Sequence, residues 1–579
     1  MLNFPQTVPP TRATINDNQN KSSMQQQPNN TPNSIETIQE LRQRLPPSIW
    51  TLAGRNSDPI VRQLVLDKLT TNNATTTSEK ERALQLCGNF VYSTIQRAVQ
   101  VSDMGERTFV ATGDIDSMWT RDSAVQMGLY YGRMGSSSNN RRGGGQPYLR
   151  LIVEGAIRRQ AFNIIQDPYA NAYARTWKDP KKLPLKDRVI GRGGWVDTRN
   201  YELDSGAYFM TQLYDYYVAE DLYRPEVLLQ EPMIFDAIML LIDTWIVEQH
   251  HDTASPYRYF ELPHQGKGNP SNYTGMTWTG FRPSDDPSRY GYLVPANIHA
   301  AAGLERILEL NKRVWLSKEL ETSATKLLRE IEMGMERYGI VEAVNSKTNQ
   351  TEQVYAYEVD GNGHALIDFD DANVPSLLSI PLLGWSKYDP EVYRTTRKRL
   401  LDPSSNKYYF KGPVLQGMGS PHTPKQYVWP LALAVEALTE EGTKEHIADT
   451  FVFQIRQLLT SACNDAMHEG VSSTHGCPVF SRPWFEWANA LFVVLIETAL
   501  GERCDEVARL TAQVEAATSA NANDRAEHIK NLQGQDGAQQ DRMTQILAQK
   551  NKFYNNRYRN DPLTPEFYQG VESLVKHVG

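Results

Sequence analysis

The chain lacks the features that would make it basic, membrane-spanning or cross-linked. Lysine and arginine number 60 against 68 aspartates and glutamates, a formal charge of −8 at pH 7. Without a basic excess, nucleic acid and anionic membranes are poor candidate partners. No apolar run approaches the roughly 18 to 20 residues needed to span a bilayer. The most apolar stretch, FDAIMLLIDTWIV at 235–247, is broken by Asp236 and Asp243 and predicts a buried helix. The opening MLNFPQTVPPTRATINDNQN has neither the basic start nor the apolar stretch of a secretory signal. Four cysteines, Cys87, Cys463, Cys477 and Cys504, are too few and too scattered to suggest a disulfide framework. Against an intracellular reading stand Asn-x-Ser/Thr sequons at Asn20, Asn29, Asn73, Asn272 and Asn349, although an Asn/Thr-rich chain produces these by chance. The compartment is therefore left open.

Several chemistries are missing as well. GRGGW at 191–195 lacks the flanking pattern of a phosphate-binding loop, and no G-x-S-x-G elbow is present. Cys463, His468, His475 and Cys477 lie close together but fit no zinc-finger spacing. Asp114/Asp116 and Asp368/Asp370/Asp371 have the oxygens a calcium ion takes, without EF-hand spacing.

What is present is helical periodicity. Phe451, Ile455, Leu458 and Ala462 fall at helical spacing, as do Leu304, Ile307 and Leu308. Pro430 opens LALAVEALTEE, Gly501 closes FVVLIETAL, and Asn373-Val374-Pro375 opens SLLSIPLL. Residues 1–34 are rich in Asn, Gln, Thr and Pro and predict a disordered leader. The main domain then runs 35–504, interrupted by SSSNNRRGGGQ at 136–146. A polar insert follows at 505–550, and 551–579 regains enough apolar character to pack back on the body.

Six stretches are rich in residues drawn from Trp, Asp, Gly and Pro: 113–124, 193–205, 276–286, 368–375, 417–430 and 468–489. Each ends where a helical pattern begins. Capping explains the acids and prolines but not the recurring tryptophans. A ring of helical hairpins would bring six such loops to one mouth, so the pattern predicts an all-α toroid with one polar, aromatic-lined pocket. Acids and Asn accept sugar hydroxyls, Arg donates, and Trp faces cover ring carbons. Glycosidic cleavage needs two carboxylates across such a pocket, one protonated and one ionised.

The stretches GDIDSMWTRDS, YELDS, FDDANVPSLL, GSPHTPKQYVWP and MHE…RPWFEWANALF, in that order, resemble glycoside hydrolase family 125 over roughly 85–500. The resemblance implies an (α/α)6 barrel and an exo-acting α-mannosidase of mannose-containing glycans, preferring α-1,6 linkages. It also implies inversion, with no metal or cofactor. It carries the general acid onto Asp204 and the base onto Glu469. Trp119, Arg121, Asp122, Asp114, Glu202, Asp371, His422, Trp429 and Trp484 are then candidate substrate contacts. Gly470 departs from the pattern and removes a side chain beside the proposed base. A calcium-dependent α-mannosidase on a related barrel, and a carbohydrate-binding protein without turnover, are the competing readings.

Overall fold

Two kinds of helix alternate along the chain, and their composition tells them apart. A computed structural model describes residues 58–70, 78–102, 106–134 and 147–504, less a few single positions, with isolated positions between 41 and 48. The expectations for 1–34, 136–146, 505–550 and 551–579 lie outside these residues. All described residues belong to one compact unit, 38–517.

The helices are α1 (Pro59–Thr70), α2 (Glu79–Ser93), α3 (Thr120–Gly128), α4 (Pro147–Gln166), α5 (Leu203–Tyr217) and α6 (Pro232–Gln249). They continue with α7 (Val294–Asn311), α8 (Lys318–Gly334), α9 (Pro390–Leu400), α10 (Pro430–Leu438), α11 (Lys444–Ser461) and α12 (Glu486–Leu500). α8 is typical of one kind. It buries Leu320, Ala324, Leu327 and Ile331 and leaves Lys318, Glu321 and Lys326 exposed, so one stripe faces inward. α5 is typical of the other, buried at every position from Leu203 to Tyr216. A helix buried all round needs partners on all sides. α5 packs on α3 and α7, and α12 packs on α3 and α10. α3, α5, α7, α10 and α12 thus form an inner wall, and amphipathic α2, α4, α6, α8, α9 and α11 alternate with them outside. This is the (α/α)6 toroid.

The sixth inner position departs from expectation. SLLSIPLL forms turns and a short 3-10 stretch, Ile380–Leu382, rather than an α-helix. Pro381 has no N–H to give a helix. Ser376 and Ser379 also tie each other's backbone N–H groups, while Asp370 accepts from the N–H of Leu377 and Leu378. The segment 235–247 lies within α6, an outer helix with Asp236 and Asp243 on its exposed side rather than a fully buried one.

Short strands brace the loops. β1 (Ser117–Trp119), β2 (Ala172–Lys178) and β3 (Gly194–Thr198) make one antiparallel sheet, and β4 (Ile340–Val344) pairs with β5 (Thr351–Tyr355). β6 (Tyr427–Val428) pairs with β7 (Val471–Ser472), joining the loops that precede α10 and α12.

The cysteines correct the sequence reading. Cys87 bonds Cys504 and Cys463 bonds Cys477, each pair with Cα atoms 5.7 Å apart. The first pair ties α2 to the end of α12 across 417 residues, a separation that conceals it from spacing arguments. The second removes both sulfurs from any zinc site at 463–477.

Candidate active site

Most outer helices begin differently from the inner ones, α6 at Glu231 being an outer helix without a side-chain cap. Outer helices α2, α8, α9 and α11 are capped by the side chains of Ser78, Ser317, Asp389 and Thr443. Inner helices α3, α5, α7, α10 and α12 start from Trp119, Glu202, Leu293, Trp429 and Phe485, with no side-chain cap. Capping therefore cannot account for these residues. They serve the space in front of the helices.

That space is a cleft of about 230 Å³. Its walls come from the loops before α3, α7, α10 and α12 and from Asn373, so five of the six loop clusters converge and 193–205 does not line it. Of the expected site residues, Trp119, Arg121, Asp122, His422, Trp429 and Glu469 line it. Phe485, Trp487, Arg482 and Asp285 join them.

Arg121 organises one wall. It is 3% exposed, and its Nη1 lies 2.6 Å from Glu202 and 3.5 Å from Asp204, while its Nε lies 3.5 Å from Asp122. The guanidinium also sits 5.1 Å from the Trp487 ring centroid. Thr112 donates to Asp122. Burial pushes the Glu202 carboxyl well above its usual range, with Arg121 opposing and the charges of Asp285 and Asp204 adding to the rise. Burial likewise pushes Asp204 up to about 6, again opposed by Arg121. Glu202 and Asp204 do not line the cleft. Asp204 is fully buried, neither of its carboxylate oxygens has a hydrogen-bond partner, and its neighbour Arg121 lines the cavity.

Asp285 faces the cleft instead, from the FRPSDD loop. Its backbone is left-handed at φ 67°, which aims it differently from Asp286. Asn171 and Asn200 donate to one of its oxygens, at 2.7 and 3.1 Å. Asp286 accepts from His422 Nδ1 at 3.0 Å, and that bond raises the imidazole to about 9.

Glu469 occupies the wall before α12, 8% exposed. Ser481 donates to its Oε2 at 3.2 Å, and Arg482 lies 3.8 Å from its Oε1. Burial raises its pKa, while Arg482 and His422 oppose the rise. The glycine at 470 fits this geometry: its N–H donates to Ser481 Oγ at 2.9 Å, and a Cβ there would come within 3.3 Å of that oxygen.

The remaining expected contacts stand back from the cleft. Asp114 is engaged by Arg482 at 2.6 Å, Asp371 by Ser284 at 2.7 Å, and Trp484 by Glu486 at 2.8 Å with Arg97 over its ring. The candidate calcium acids are committed too. Asp116 pairs with Arg175, Asp368 takes both arms of Arg399, and Asp370 caps two backbone N–H groups. Among the described residues, only Cys87, Glu497 and Cys504 are grouped as metal ligands would be, and those two cysteines are bonded to each other.

The profile of the metal-independent α-mannosidases, glycoside hydrolase family 125, matches residues 80–497. The chain belongs to that family. It is 33% identical over 454 residues to the meiotically up-regulated gene 157 protein of Schizosaccharomyces pombe, covering 72% of this chain and 82% of that one. It also superposes on a metal-independent α-mannosidase of Streptococcus pneumoniae, solved in a non-productive complex with α-1,6-mannobiose. There the TM-score is 0.64 and the identity 32%, over 77% of this chain and 99% of the other. This α-mannosidase is a glycoside hydrolase whose cleft has the aromatic faces and carboxylates that sugar cleavage requires. Among the described residues, no helix is long and apolar enough to cross a membrane.

Proposed function

We propose that this enzyme removes terminal α-1,6-linked mannose from mannose-containing glycans, with inversion at the anomeric carbon and without a metal. The observation that carries this reading is the pairing of Glu469 with Asp285 in one cleft. In the order of the inner wall, the loop before α7 and the loop before α12 are three positions apart, hence opposite each other.

Glu469 acts as general base. It takes a proton from water as the water oxygen attacks C1, while Ser481 and Arg482 hold the carboxylate in place. Asp285 acts as general acid and protonates the departing oxygen as the C1–O bond breaks. Glu202, whose carboxyl burial and the charge of Asp285 push up, is the group that returns a proton to Asp285 in this reading. An inverting enzyme needs its two carboxyls about 6.5–9.5 Å apart, with the water between them. In this reading Asp204 supports Arg121 rather than acting as the acid, since it does not line the cleft. Trp119 and Trp487 offer unpartnered Nε1 donors, and Asp122 an unpartnered oxygen, for the mannose hydroxyls.

The test follows α-1,6-mannobiose by NMR after chelation of metal ions. β-Mannose should form first and mutarotate later, at an unchanged rate. α-Mannose appearing first would end the inverting reading, loss of activity on chelation the metal-free one, and absence of mannose the catalytic one.

A further inference from the structure

We propose that Asn349 is a site of N-linked glycosylation, carried by this chain in an oxidising compartment. Asn349-Gln350-Thr351 is an Asn-x-Thr acceptor at the turn of the β4–β5 hairpin. The turn is built by its backbone: Asn349 N–H donates to the Asn345 carbonyl at 2.8 Å, and Asn345 N–H to the Gln350 carbonyl at 2.9 Å. Asn349 itself is left-handed at φ 55°, a conformation asparagine adopts more readily than most residues. Positions 347–351 are all exposed, so both the acceptor amide and the Thr351 hydroxyl face solvent. Among the described residues, nothing hydrogen-bonds the Asn349 side chain. A glycan there displaces no contact.

Asn272 makes the contrast. It too is exposed and in a sequon, but its amide donates to Asn362, and Thr274 is buried with its hydroxyl accepting from the Met276 N–H at 3.1 Å. The sequons at 20, 29 and 73 lie outside the described residues. The second, independent observation is the pair of disulfides, which leaves all four cysteines bonded. Disulfides persist where the surroundings are oxidising, in the lumen of the secretory route and beyond it. In eukaryotic cells the oligosaccharide is transferred in that lumen.

The donor is a polyisoprenyl-pyrophosphate-linked oligosaccharide, used by a membrane transferase. Asn349 Nδ2 attacks C1 of its reducing-end sugar. A C1–N bond forms, the C1–O bond to the pyrophosphate breaks, the lipid pyrophosphate leaves, and the amide proton passes to a base of the transferase. Nothing is oxidised or reduced. The inference does not depend on the linkage the hydrolase prefers.

The full chain, with no added leader, is produced in a yeast host, and its peptides are analysed by mass spectrometry before and after peptide-N-glycosidase. The peptide containing residue 349 should be found glycosylated and, after release, with aspartate in place of Asn349. Asn349→Gln and Thr351→Ala should each remove that glycan, and Thr351→Ser should keep it, with thermal unfolding unchanged in all three. An unmodified Asn349 in a chain whose cysteines are disulfide-bonded overturns the site. Recovery of the four cysteines as free thiols overturns the compartment, and the proposal with it.

Discussion

Asp285→Asn and Asp204→Asn separate the acid from its neighbour. Both changes are near-isosteric and both remove a carboxylate close to Arg121, so a loss of activity alone would not tell them apart. The leaving group does. A sugar alkoxide departs poorly without a proton, and general acid catalysis contributes about 10²–10⁴-fold, equivalent to roughly 3–5 kcal/mol of barrier. An activated aryl oxide departs without that help. Asp285→Asn should therefore lose about 10²–10⁴-fold in kcat/KM on α-1,6-mannobiose and no more than about tenfold on an activated aryl α-mannoside. Asp204→Asn removes only the 3.5 Å contact with Arg121, from a position with no face on the cleft. Its cost should be about tenfold on both substrates, on the scale of about 1.4 kcal/mol for loss of one charge near Arg121. The assay is initial-rate kinetics on the two substrates for each variant. If Asp204→Asn shows the leaving-group split and Asp285→Asn does not, the assignment reverses and Arg121 must move during turnover.

Ser481→Ala should lower kcat by about 10–100-fold with KM little changed, because it removes a hydrogen bond of about 1.5–3 kcal/mol to the base carboxylate rather than a substrate contact. Steady-state kinetics check this, and a rise in KM alone would refute it. His422 is raised from 6.5 to about 9 by Asp286. Its ion pair thus contributes stability in full below about pH 6.5, and that contribution is lost as pH rises through about 9. Asp286→Asn should flatten the fall in melting temperature between those limits, measured by calorimetry across pH. Reducing Cys87–Cys504, which spans 417 residues, should cost on the order of 4 kcal/mol of stability, read as a lower denaturant midpoint. Gly470→Val should mimic Ser481→Ala, since a side chain there crowds the Ser481 hydroxyl.

Much of this arrangement is legible in the chain, and the limits have physical causes. Tryptophan in five of six polar loops, each ahead of a helical pattern, points to the toroid and its single mouth, because capping a helix start does not call for an indole. Glu469 stands in the cleft as expected. Asp285 sits in a loop the sequence singles out, yet nothing there distinguishes it from Asp286. Their difference lies in the left-handed backbone at Asp285, which turns one carboxyl to the cleft and leaves the other for His422. The resemblance carries the acid onto Asp204, and the burial of that carboxyl against Arg121 is a tertiary fact that the sequence does not show. The disulfides were hidden for a similar reason: Cys87 and Cys504 meet only once the ring closes.

The charge balance around Arg121 explains why a site of this kind can hold an acid at neutral pH. One guanidinium lies within 3.5 Å of three carboxyls, Asp122, Glu202 and Asp204, all of them buried. Were all three ionised, Arg121 alone would leave two negative charges uncompensated among buried side chains, a cost that a bound proton relieves. Burial pushes all three carboxyls up, with Arg121 opposing, and this favours a proton held within the cluster. Asp285 stands beside that cluster and faces the cleft. Replacing Arg121 with methionine should leave even more protons bound and raise the alkaline limb of the kcat/KM profile, although mannose binding weakens. An unmoved limb would show that the acid's proton is set elsewhere than in this cluster.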